Sequence, residues 1–219
     1  MNLEEAVASF SKELENLLKS IFGRPVPLIA SWQRIRNVWR ASISTADVSG
    51  MQISIKGKPV FQLQFRYQCE YQASRSRLTI RKSSFKVMHA LSRMPLWHYD
   101  YVRDMKKAAS AIAHLNVYAH RNEIVGAMAV ANRKPEDMQL QAIHFPFGGP
   151  RYRPTIEDVF EMLITEFDID VADGAQKAIK KSRILYFKRQ LESAVFEAPQ
   201  IAASVLRDLG FKVEPPSLL

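Results

Sequence analysis

Residues 61–72 read FQLQFRYQCEYQ. Phe61, Leu63, Phe65, Tyr67, Cys69 and Tyr71 alternate with Gln62, Gln64, Arg66, Gln68, Glu70 and Gln72. A period of two held this long puts each set on its own face of a β-strand, one face aromatic and dry, the other polar and wet. The neighbouring segments are therefore read for partner strands.

Upstream, MQISIK (51–56) alternates again and KGKP (56–59) turns into the central strand. Residues 27–45 fit either a helix or a strand. The β-branched and aromatic residues from about Ile35, followed by TADVSG, favour a strand. Downstream, RLTIRKSSFKVM changes phase between Leu78/Ile80 and Phe85/Val87, which predicts a bulge near Ser83–Ser84. WHYDYVR (97–103), IAHLNVYAH (112–120) and a last strand QLQAIHF (139–145) complete the antiparallel set, with EIVGAMAVA read as a short helix.

Helices frame these strands. Leu3, Val7, Phe10, Leu14, Leu17, Leu18 and Ile21 recur at helical spacing, with Asn2 and Glu5 as a capping box and Gly23 and Pro25 as the stop. Thr155 and Asp158 cap a second amphipathic run through Ile156, Val159, Phe160, Leu163, Ile164 and Phe167. Further helices are predicted over about 175–196 and from Pro199 to Gly210. The fold class is α+β: an N-terminal helix, an antiparallel sheet of about six strands and a C-terminal helical unit of about three helices. The expected division is 1–150 and 151–219.

With 47% hydrophobic residues, 219 residues suffice for a substantial core. The one cysteine, Cys69, excludes an intrachain disulfide and any all-cysteine metal site, and its inward parity marks it as a small buried hydrophobe. MNLEEAVASF is acidic and unlike a signal peptide, and no eighteen apolar residues run together. A cytoplasmic protein without membrane contact is expected. Thirty-one Lys and Arg against 22 Asp and Glu give a net charge of +9, a field that attracts polyanions.

Three places have the residue types for polyanion chemistry. RNA cleavage needs a base, an acid and a cation for the phosphorane, and a wet sheet face with His114, Tyr118, Arg66, Glu70 and Arg81 supplies them. His114 and His120, six residues apart on an extended strand, lie roughly 20 Å from each other, so each needs its own neighbour. His98 and His144 are the candidates. The loop HFPFGGPRYRPT, with Arg151 and Arg153 before a helix N-terminus, suits a phosphate. A third basic run comprises Lys177, Lys180, Lys181, Arg183, Lys188 and Arg189 beside Tyr186 and Phe187. The histidines lack HExxH or short His-x-His spacing, so neither a metal site nor a cofactor is expected.

HFPFGGPRYRPTIEDVF (144–160), followed by RQLESAVFEAPQIAASVLRDLGF (189–211), resembles a group of uncharacterised actinobacterial and mobile-element proteins. Tyr99–Tyr101 and Ala113–His114 share in the likeness. It implies no particular activity. In strand order and aromatic-histidine texture the chain is also similar to small ribonucleases of toxin–antitoxin pairs. Their His-His-Lys-His type signature is absent here, so no residue role is transferred. Two readings follow. One is a basic protein that engages nucleic acid, RNA before DNA, as the toxin or effector of a bacterial toxin–antitoxin or phage-defence module, with RNA cleavage at His114. The other is a non-enzymatic module that binds a protein partner such as an antitoxin.

Overall fold

A computed structural model of the protein describes residues 2–35, 38–72, 77–103, 112–120, 122–130, 134–137, 139–146 and 152–214. The alternating stretch lies in the long strand β4 (Lys58–Gln72). Around it run α1 (Leu3–Phe22), β1 (Leu28–Ile35), β2 (Val38–Thr45), β3 (Met51–Ile55), β5 (Arg77–His89), β6 (Pro95–Val102) and β7 (Ala113–Val117). Then follow α2 (Asn122–Val130), β8 (Phe145–Pro146), α3 (Ile156–Phe167), α4 (Ala175–Glu197) and α5 (Pro199–Asp208). Among the described residues the strands form one eight-stranded antiparallel sheet in the order β1-β2-β4-β5-β6-β7-β8, with β3 also paired to β4. β2 and β3 share one edge of β4 end to end, on Arg66–Glu70 and Lys58–Leu63 respectively.

Parity along β4 decides the layering. Phe61, Leu63, Phe65, Tyr67 and Cys69 are all at most 5% exposed. Across β5 this face continues through Phe85 and Val87. Two capped helices cover it. Asn2 and Glu5 close the box on α1, and Thr155 and Asp158 do so on α3. Val7, Leu14, Leu18 and Ile21 from α1 join Ile156, Val159, Phe160 and Leu163 from α3 in the same core. Edge-to-face rings lock the layers, Phe10 on Tyr67 at 5.3 Å and Phe22 on Phe160 at 5.5 Å, and Phe167 stacks on Trp97 at 5.8 Å.

The β3–β4 hairpin turns through Lys56 (φ 50°) and Gly57 (φ 74°), two left-handed residues that match the twist of the strands. The Asp170 carboxylate accepts both turn amides, each at 2.7 Å, and so ties the segment after α3 to the sheet. The chain divides into two compact units, Met1–Ile179 and Lys180–Leu219, so the break falls later than residue 150 and leaves α3 with the sheet. No helix among the described residues is long and apolar enough to cross a membrane.

Three local expectations differ. In place of one strand from about Ile35, two strands, β1 and β2, pair antiparallel across 28–35 and 38–45. The bulge falls at Arg81, the extra residue between Gln68↔Lys82 and Cys69↔Ile80, and not at Ser83–Ser84. QLQAIHF is no full strand: Leu140–Ala142 make a 3-10 turn and only Phe145–Pro146 pair, as β8. Its carbonyls at Gln141 and Ile143 are taken by the Asn116 side chain instead of by a strand.

Phe160→Ala is expected to cost about 3–5 kcal/mol, since the ring is fully buried between α1 and the sheet. Leu191→Ala, on an exposed position, is expected to stay within about 0.5 kcal/mol. Chemical denaturation measures both; equal losses would contradict the packing of α3 in the core.

Candidate functional site

The second face of the sheet begins as the wet side of β4 and crosses β5, β6 and β7. Cross-strand registers give its rows. One row runs Ser44–Arg66–Ser84–Asp100–His114, and the next runs Gln64–Lys86–His98–Asn116. His98 and Asp100 share the face because they are two residues apart on β6. His114 joins them because it sits directly opposite Asp100 on β7. All three come from strands whose other face, Trp97, Tyr99 and Tyr101, packs towards the core.

The Asp100 Oδ2 atom lies 3.3 Å from His98 Nε2 and 3.9 Å from His114 Nε2. His144 approaches edge-on, its ring centroid 4.6 Å from that of His114, and the Tyr118 ring stands 5.6 Å from that of His98. The far end of this polar face is covered: His114 is 5% and Asn116 2% exposed. The cover is the 139–146 segment, held by Asn116 Nδ2 donating to the Gln141 and Ile143 carbonyls at 2.8 and 3.0 Å.

Charge is organised around Asp100. Burial pushes its carboxyl up, but hydrogen bonds from His98 and Ser84 and the two imidazoles more than reverse this. The group is therefore held below the ordinary carboxylate value and is ionised at neutral pH. Partial burial, with His114 and His98 beside it, lowers His144. Tyr118 is raised by burial and by the Asp100 charge.

Of the residues named from sequence, His114, His98, His144 and Tyr118 meet here. Tyr118 lies just past the end of β7, its amide still bonded to the Leu96 carbonyl. Arg66 lies two strands from Asp100 along the same row, roughly 10 Å at the usual strand spacing. Glu70 is not brought to the histidines. It sits between Arg40 at 3.3 Å and Arg81 at 3.7 Å, further along β4. His120 is exposed and bonds the Asn122 side chain at the start of α2. Arg153 departs most from its expected role as a phosphate ligand. Its guanidinium lies 5.8 Å from the Tyr67 ring and 5.9 Å from the Tyr101 ring, on the core side of the sheet. Arg151 lies outside the described residues. Lys177, Lys181, Arg183 and Lys188 all lie on α4, Lys177 in the first compact unit and the other three in the second.

Asp100, Lys86 and Asn116 are the residues that sequence reasoning passes over. His98-x-Asp100 within an alternating strand was the available signal for the first. The others needed the registers that put Lys86 and Asn116 on either side of His98. No family model matches the chain, nor does any curated protein or solved structure.

Cys69 is fully buried, and burial pushes its thiol up to about 12. The folded protein is expected to resist a thiol-specific disulfide reagent at mildly alkaline pH and to react fully once denatured. Rapid reaction of the folded protein would contradict this placement. Arg153→Ala is expected to lower the melting temperature, through the lost contacts over Tyr67 and Tyr101, with little change in RNA affinity.

Proposed function

We propose that this protein engages RNA on the open face of its sheet and cleaves it at the His98–Asp100–His114 cluster. The observation that carries this reading is the continuity of that face. The polar rows leading to the cluster bring Arg66 and Lys86 towards it, and Lys86 is the direct cross-strand neighbour of His98. A phosphodiester laid along those rows meets cations first and then the partly exposed His98 and the ionised Asp100, with His114 buried beside them under the 139–146 segment; these are the groups that phosphoryl chemistry requires. The net charge of +9 supplies the long-range attraction.

RNA is preferred over DNA because an imidazole base can act on the 2′-hydroxyl, which DNA lacks. The likeness to mobile-element proteins accords with a toxin or effector role in a toxin–antitoxin or defence module. The second compact unit favours an additional, non-catalytic role: Ile184, Phe187 and Val195 on α4 and Ile201 and Val205 on α5 are exposed, a surface suited to a protein partner such as an antitoxin.

Labelled single-stranded RNA, duplex RNA and DNA, incubated with the purified chain, test the reading. Single-stranded RNA is expected to be cut, and His114→Ala to abolish cutting while binding persists. Lys86→Ala and Arg66→Ala are each expected to weaken binding several-fold and to lower the log–log salt slope by about one. Absence of both binding and cleavage at low salt would refute the proposal. Binding without cleavage would leave an RNA-binding module.

A further inference from the structure

We infer that His98, Asp100 and His114 form a binding site for a divalent transition-metal cation of the zinc class. Each residue offers one donor atom, and no two of the three donors are more than 4.8 Å apart. Zinc bonds of about 2.0–2.2 Å at tetrahedral angles place donor atoms about 3.4 Å apart. The Asp100–His98 separation of 3.3 Å already meets that spacing, and the Asp100–His114 separation of 3.9 Å exceeds it by a shift that side-chain rotation can close. Two imidazoles and one carboxylate select zinc and its first-row neighbours. Calcium and magnesium favour all-oxygen sets. Three protein donors leave a position open for water or a substrate oxygen, which is the arrangement of a catalytic site and not of a structural one.

The surroundings of the three donors support this independently. A ligating histidine donates its second ring N–H to an acceptor that fixes tautomer and orientation. His98 Nδ1 is buried and has no hydrogen-bond partner. Its register neighbour on β7 is Asn116, 2% exposed, whose Oδ1 is likewise buried and without a partner. The Asn116 amide nitrogen is already committed to two carbonyls, so its oxygen is fixed as an acceptor. With a metal on Nε2, His98 carries its proton on Nδ1, and the unsatisfied donor and the unsatisfied acceptor belong to register-paired residues that do not bond each other in the metal-free arrangement. Burial of such a pair is costly unless binding brings the two into use.

The site stands on this donor geometry. Its part in catalysis, drawing a phosphate oxygen to the open position beside Lys86, rests on the RNA reading above. The two are separable by experiment.

The full chain, stripped of metal by chelator dialysis, is titrated with Co2+ and followed by visible absorption, then challenged with Zn2+. One cobalt per chain is expected to give a saturating band that one equivalent of zinc erases. His98→Ala, Asp100→Asn and His114→Ala are expected to lose the band, and His120→Ala, an exposed histidine outside the cluster, to keep it. Should a ligand variant fail to fold, histidine side-chain NMR of the wild-type chain replaces it, with zinc expected to shift His98 and His114 and to leave His89 in place. Absence of a saturable band, or a band that survives both His98→Ala and His114→Ala, would overturn the inference. RNA cleavage that resists chelator would overturn the catalytic role of the metal and leave the function standing. Stoichiometric metal binding without any cleavage would overturn the cleavage reading and leave the metal site standing.

Discussion

Burial of the aromatic face of β4 is the constraint on which the rest of the first compact unit depends. A strand cannot expose Phe61, Phe65 and Tyr67 to water without losing roughly 1.5–3 kcal/mol for each large side chain, so that face must be covered. The cover is α1 and α3, two helices far apart in sequence that place their apolar stripes in one core. Asp170 adds a polar tie between the β3–β4 turn and the segment that follows α3. Once that face is closed, every neighbouring strand inherits its parity from β4 through the hydrogen-bond register.

The same inheritance builds the opposite face. His98, Asp100 and His114 point away from the core only because Tyr99 and Tyr101 point into it, beside Phe85 and Ser83. A polar face would ordinarily remain wet, but its far end is closed over His114 and Asn116 by the 139–146 segment. Burying polar groups in this way is unfavourable unless they are paired. Asn116 meets the requirement with its nitrogen and leaves its oxygen unmet beside His98. That residual deficit, in a cluster with an ionised carboxylate, distinguishes this end of the sheet from an ordinary solvated surface.

Sequence reasoning succeeded where a signal was local and failed where it was not. The caps at Asn2/Glu5 and Thr155/Asp158 and the alternation of β4 are patterns within a few residues, and each is present as read. The slip in β5 was visible but misplaced, since Arg81 and Lys82 are both polar and the pattern does not say where the extra residue sits. QLQAIHF has strand-like alternation, yet the Asn116 side chain takes the carbonyls that a ladder would have used. Arg153 looked like a phosphate ligand from its loop, whereas the two tyrosine rings that hold it come from β4 and β6.

What the sequence by itself determined is which face of each element is dry, because side-chain periodicity is a property of one segment and needs no partner. From that followed the α+β class, the helix boundaries and the identity of Cys69 as a core residue. Only the tertiary structure decided which polar residues become neighbours. His98 and His114 are sixteen positions apart, and a shift of one residue in the β6–β7 register would have sent His114 to the opposite face from Asp100. Register is set by the packing of the whole sheet on its helices, so the cluster is a consequence of the core and not of any motif.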